Sequence, residues 1–79
     1  MTNTKRKIAE LIFSNEVSNY QIAKVTGISQ SHLSLIRKGK RNLGGISLET
    51  AELLEDFYKK TKFNDKEAAY ERYLKVYGN

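Results

Sequence analysis

Seventy-nine residues with a mass of 9.1 kDa are enough for one small core and exclude a second catalytic or sensor domain within them. There is no cysteine, which excludes a disulfide frame and a thiolate metal site, and the longest apolar runs, such as Leu11-Ile12-Phe13, are far too short to span a bilayer. Fourteen Lys and Arg against nine Asp and Glu give a net charge of +5 and a pI near 9.6, a balance that suits a polyanionic partner.

The absence of proline, the scarcity of β-branched alternation and the helical spacing of apolar residues predict an all-α chain of five helices. The first is expected over residues 4–14, with Ile8, Leu11 and Ile12 on one face. Its basic start (Lys5, Arg6, Lys7) is not followed by an apolar signal core, because Glu10 interrupts it. No secretory signal is expected, and the expected location is the cytoplasm. The second helix begins at Ser18, whose hydroxyl can accept from an orphan amide while Gln21, three residues on, completes a capping box. Ile22, Ala23 and Val25 are expected on its inner face, and Gly27 ends it, since glycine takes the left-handed conformation without steric cost.

Ser29 caps a third helix that runs from Gln30 to about Lys38, with Leu33 and Ile36 buried, and Gly39 stops it. Two adjacent glycines predict a loop over residues 40–46. Ser47 caps the fourth helix, where Glu49 and Glu52 suit the positive end of the macrodipole and Lys59 and Lys60 the negative end. Leu48, Ala51, Leu54 and Tyr58, with Leu53 and Phe57 alongside, are its expected apolar stripe. Asn64 and Glu67 read as a capping box for a last helix over residues 64–77, which carries Tyr70, Tyr73, Leu74 and Tyr77 on one side. That stripe has two readings: packing on the chain's own core, with Leu53, Phe57 or Phe63 as partners, or a dimer contact.

The charge is unevenly placed. Residues 17–48 contain no Asp or Glu but hold Lys24, Arg37, Lys38, Lys40 and Arg41, whereas the flanks on either side nearly cancel. A solvated basic face is the plain explanation. A nucleic-acid surface would require the asymmetry, because acids inside the footprint repel phosphates.

Two short helices joined by three or four residues that include a glycine form the helix-turn-helix unit. Ala23 has to be small where such helices cross, Gly27 has to turn left, and Ile28, Leu33 and Ile36 have to hold the second helix to the first. With Ile22-Ala23, Gly27-Ile28-Ser29, Leu33, Ile36 and Gly39 at the core positions, the stretch from Ser18 to Arg41 resembles the phage-repressor (Cro-like, XRE) helix-turn-helix family. The motif lies at about residues 18–38 and the likeness extends over residues 4–60. The resemblance implies a compact, five-helix, lambda-repressor-like domain over residues 1–79. It also implies sequence-specific binding of double-stranded DNA, as a homodimer on a near-palindromic operator, and transcriptional control in bacteria, phage or mobile elements. No cofactor is implied. A protein antirepressor and RNA polymerase are the further partners such a regulator would meet.

A recognition helix lies in the major groove with its first residues against base edges. Leu33 and Ile36 fix its rotation, so the opposite face presents Gln30, Ser31, Ser34 and Leu35, which correspond to base-reading positions in the family. The Gln30 carboxamide can donate to and accept from an adenine edge together. Ser31 and Ser34 suit either a base or a phosphate. Leu35 departs from the polar or basic residue many relatives carry; contact with a thymine methyl group, burial in the core and a dimer contact all stay open. His32, the only histidine, cannot build a zinc site alone; it either donates to a phosphate or simply faces solvent.

The resemblance makes Lys38, Lys40 and Arg41 the counterparts of residues that grip the DNA backbone after the recognition helix. Arg37 stands where glutamate is common; it strengthens the field without having to touch DNA. Asn19 and the amides at the start of the second helix match the other backbone anchor. Lys5, Arg6 and Lys7 either extend the footprint or form a solvated first turn. The competing function is a protein-interaction module, an antirepressor or inhibitor, on the same scaffold. An enzyme is not expected, since no nucleophile, base and orienting acid come together around His32.

Overall fold

Serine caps start three of the helices, and a glycine turn closes each of the two shortest. A computed structural model describes residues 4–78 as α1 (Thr4–Ile12), α2 (Asn19–Thr26), α3 (Gln30–Arg37), α4 (Leu48–Lys60) and α5 (Lys66–Tyr77). Residues 1–3 and 79 of the expected 1–79 domain lie outside the described residues. There is no strand among the described residues, and the extents of 29 × 26 × 25 Å make this a compact all-α domain around one core. None of its helices is long and apolar enough to cross a membrane.

α1 is the centre of the packing and touches both α4 and α5, while α2 packs on α3 and α4. Leu11, Ile12, Ile22, Leu33, Ile36 and Leu54 are all 0% exposed and draw the helices together. Burying each such side chain stabilises the fold by roughly 1.5–3 kcal/mol. α1 ends at Ile12 rather than at residue 14, and the Ser14 amide makes only a long bond of 3.4 Å to the Leu11 carbonyl. The Ser14 hydroxyl is withdrawn to another partner: it donates to Asp65 Oδ1 at 2.7 Å.

The capping box on α2 is formed. Ser18 Oγ accepts from the Gln21 amide at 3.1 Å and Gln21 Oε1 accepts from the Ser18 amide at 3.1 Å. Gly27 takes φ 81° and its N–H donates to the Ala23 carbonyl at 2.9 Å, closing the helix. The inner face differs from expectation at one place: Val25 is 45% exposed and Thr26 is buried instead. Thr26 can be buried because its hydroxyl donates to the Ile22 carbonyl at 2.7 Å and accepts from the Ile28 amide at 3.2 Å.

Beyond α3, the expected loop over residues 40–46 contains a 3-10 turn at Leu43–Gly45, anchored by the buried Leu43. Its Ile46 amide donates to the Leu43 carbonyl at 3.1 Å. On α4 the apolar stripe is narrower than its sequence suggests. Leu54 is buried and Ala51, Phe57 and Tyr58 pack against the core, but Leu48 is 76% exposed and Leu53 44%. Both sit on the outer side of a helix that has only one face to bury.

α5 begins later than expected, and the Asn64–Glu67 capping box is absent. The N-cap is Asp65, whose side chain makes no capping bond to the start of the helix. Its carboxylate accepts instead from Ser14 Oγ, from the Asn15 amide at 2.8 Å and from Arg72 at 3.3 Å, while the Asn64 amide donates to Glu16 Oε1. The tyrosines of α5 turn inward. Tyr73 and Tyr77 meet the edge of Phe13, with ring centroids 5.7 and 6.2 Å away, and Arg6 lies over Tyr70. Phe13, a ring outside the expected set of Leu53, Phe57 and Phe63, is thus an aromatic partner of this stripe, while Phe57 and Phe63 share the same core cluster. Leu74 remains 42% exposed.

Candidate nucleic-acid interface

Ser29 starts α3 by accepting from the His32 amide at 3.0 Å, and Leu33 and Ile36, both 0% exposed, set the rotation of the helix. The opposite edge faces outward. Gln30 and Ser31 are exposed, whereas Ser34 and Leu35 are half-buried. Leu35 is not part of the core cluster, so of the roles open to it burial in the core falls away. His32 is half-buried on the wall of an open groove of about 370 Å³, together with Gly27, Ser29, Ser47 and Thr50. Among the described residues no group of three or more His, Cys, Asp or Glu side chains is placed to hold a metal ion.

At the far end of α3 the backbone closes in a Schellman turn. Gly39 takes φ 81°, its amide donates to the Ile36 carbonyl at 3.1 Å, and the Lys40 amide donates to the Leu35 carbonyl at 2.9 Å. Lys38, Lys40 and Arg41 project from this turn. All three are exposed, and none is in an ion pair among the described residues.

Arg37 behaves differently from its neighbours. Its Nη2 donates inward to the carbonyls of Val17 at 3.1 Å and Ser14 at 3.3 Å, tying the end of α3 to the segment between α1 and α2. Its Nε is buried without a partner among the described residues. Burial, with the nearby Arg72 charge, pulls its pKa below the ordinary arginine value, against an opposing pull from Asp65. Arg37 is therefore a strut, and the exposed cations are the three that follow it.

Asn19 lies at the first turn of α2, half-buried, with Oδ1 buried and unpartnered among the described residues. That leaves only its amino end for an outside acceptor. Beside it Tyr20 is 60% exposed, an aromatic on the same surface that the apolar pattern passes over because it belongs to no buried face. Lys5 and Arg6 are exposed on α1, but Arg6 donates to Glu10 at 2.8 Å and stacks on Tyr70, and so belongs to the α1–α5 contact.

Tyr77, expected only as a packing or dimer residue, makes a further contact. Its hydroxyl reaches the Ile36 carbonyl at 2.6 Å and also the Arg41 carbonyl. Its helical spacing with Tyr70 and Tyr73 marks it as one of a packing stripe; nothing in the spacing tells that its tip meets the backbone of the basic turn.

No family model, no curated protein and no solved structure matches the chain.

Proposed function

We propose that this chain is a sequence-specific double-stranded DNA-binding regulator, a repressor of a bacterial, phage or mobile-element promoter, acting as a dimer on a palindromic operator. In this reading α2 and α3 form a lambda-repressor-like helix-turn-helix, with Gln30, Ser31, Ser34 and Leu35 against base edges. Lys38, Lys40 and Arg41 hold one stretch of phosphates, with Asn19 and His32 on the backbone nearer the start of α3. The observation that carries the reading is the outward edge of α3: polar residues at its start, a rotation locked by Leu33 and Ile36, and exposed cations directly after its end that are in no ion pair among the described residues. A major groove admits one helix in this orientation. Two such helices about 34 Å apart would read the two halves of a palindrome. Repression then needs no effector domain, because a protein seated on a promoter blocks polymerase by occupancy.

The test is a fluorescence-anisotropy titration against mixed-sequence duplexes over a range of salt. Neutralisation of several phosphates makes affinity fall steeply as salt rises. A chain that binds no duplex at low salt would instead fit a protein-interaction module.

A further inference from the structure

The basic turn after α3 is held from outside as well as by its own backbone. The Schellman bonds leave the Ile36 carbonyl with a second lone pair, and the Tyr77 hydroxyl lies 2.6 Å from that oxygen. The Arg41 carbonyl lies against the same hydroxyl, and a phenol has one proton, so Tyr77 donates to either carbonyl in turn and its proton is shared between the two ends of the turn that carries Lys38 and Lys40. Burial holds Tyr77 above its ordinary value of 10.0, so it remains a protonated donor at neutral pH. Val76 closes the same contact: a Cβ built on Gly39 would meet its Cγ1 at 2.8 Å. The last turn of α5 therefore touches the basic turn by a hydrogen bond and by close packing, and its tyrosine ring is fixed behind by Phe13 and Tyr73.

We infer that Tyr77 is a positioning residue for phosphate binding: it touches no DNA, but through the Ile36 and Arg41 carbonyls it fixes the backbone from which Lys38, Lys40 and Arg41 reach the duplex. This rests on the DNA-binding reading above. A floppy turn would carry the same charge, yet would have to order on binding, and the ordering cost would appear as lost affinity.

The experiment compares the native 79-residue chain with Tyr77→Phe and Arg41→Ala, using a fluorescein-labelled duplex of mixed sequence. Tyr77→Phe keeps the ring against Phe13 and removes only the hydroxyl. Its duplex affinity is expected to fall by about three- to tenfold. Amide exchange at residues 39–42 is expected to accelerate while the core amides of α1 stay protected. The second readout separates the proposal from general destabilisation, which would speed exchange everywhere. Equal affinity in the native chain and Tyr77→Phe, alongside a clear loss in Arg41→Ala, would overturn the inference and leave the DNA reading standing. Exchange that accelerates throughout α1 would overturn it too, by making Tyr77 a general core residue. Failure of the native chain to bind any duplex would overturn the DNA reading and this inference with it.

Discussion

Phe13, at the end of α1, presents its edge to the Tyr77 ring with centroids 6.2 Å apart, and Tyr77 in turn reaches the Ile36 carbonyl of α3. Three helices distant in sequence thus meet through two aromatic side chains. α5 is part of the fold rather than an appendage to it. Deleting residues 66–78 removes the buried Ala69 and the two tyrosine rings that pack on Phe13, and is expected to abolish cooperative urea unfolding followed by circular dichroism. Leu74→Lys, on the outer face of α5, is expected to change stability by no more than about 0.5 kcal/mol. A fall in sedimentation-derived dimer affinity in that variant would place the dimer contact on α5; deletion of the helix could not separate dimerisation from folding.

Arg37→Met removes a side-chain donor that is bonded to both the Ser14 and Val17 carbonyls. Chemical denaturation is expected to show a loss of about 1–3 kcal/mol. Duplex affinity of the folded variant is expected to change far less than in Arg41→Ala, because Arg37 points into the protein. Equal losses in the two variants would place Arg37 on the DNA.

Asp65 joins α5 to the end of α1. Burial raises its pKa, but the bonds from Ser14, Asn15 and Arg72 outweigh burial and hold it below the ordinary 3.8. A carboxylate depressed in the folded state stabilises the fold above its unfolded pKa. That stability is lost as pH falls through the folded value. The melting temperature of the native chain is therefore expected to drop on acidification below about pH 3.8, with a smaller drop in Asp65→Asn. At neutral pH Asp65→Asn is expected to cost about 1–3 kcal/mol, because its amide places donors against the donors of Asn15 or Arg72. Parallel melting-temperature profiles for the two proteins would contradict this.

Gly39→Ala meets two obstacles, a backbone φ of 81° and the Val76 side chain 2.8 Å from the new Cβ. It is expected to lower thermal stability by about 1 kcal/mol or more. Adding Val76→Ala removes the collision but not the backbone strain, so recovery is expected to be partial. Full recovery would show that the positive φ carries no cost here.

The local signals were legible in the residues themselves. Ser18 with Gln21, Ser29, Ser47, Gly27 and Gly39 act through neighbours within a few positions, so spacing alone locates the starts of α2, α3 and α4 and the ends of α2 and α3. Leu33 and Ile36 were legible for the same reason, and with them the outward edge of α3. What spacing could not supply was long-range pairing. Asn64 is the cap that the spacing suggests; Asp65 takes that place instead, and its oxygens serve Ser14 and Asn15, which only the tertiary fold brings near. Arg37 and Arg41 look alike as members of a basic run; one reaches inward only because the carbonyls of Ser14 and Val17 lie beside it. Val25 and Leu48 fit an apolar pattern, but short helices bury a narrow stripe and leave its margins in solvent.

The most direct measurement is selection of bound fragments from random duplex DNA by the native chain and by Gln30→Ala, followed by sequencing. The account predicts that the native chain enriches a near-palindrome, and that Gln30→Ala loses preference at one base pair in each half by about 1–3 kcal/mol while keeping the remainder. Enrichment of no sequence by the native chain, or an unchanged preference at every base pair in Gln30→Ala, would contradict the assignment of α3 as the element that reads DNA through Gln30.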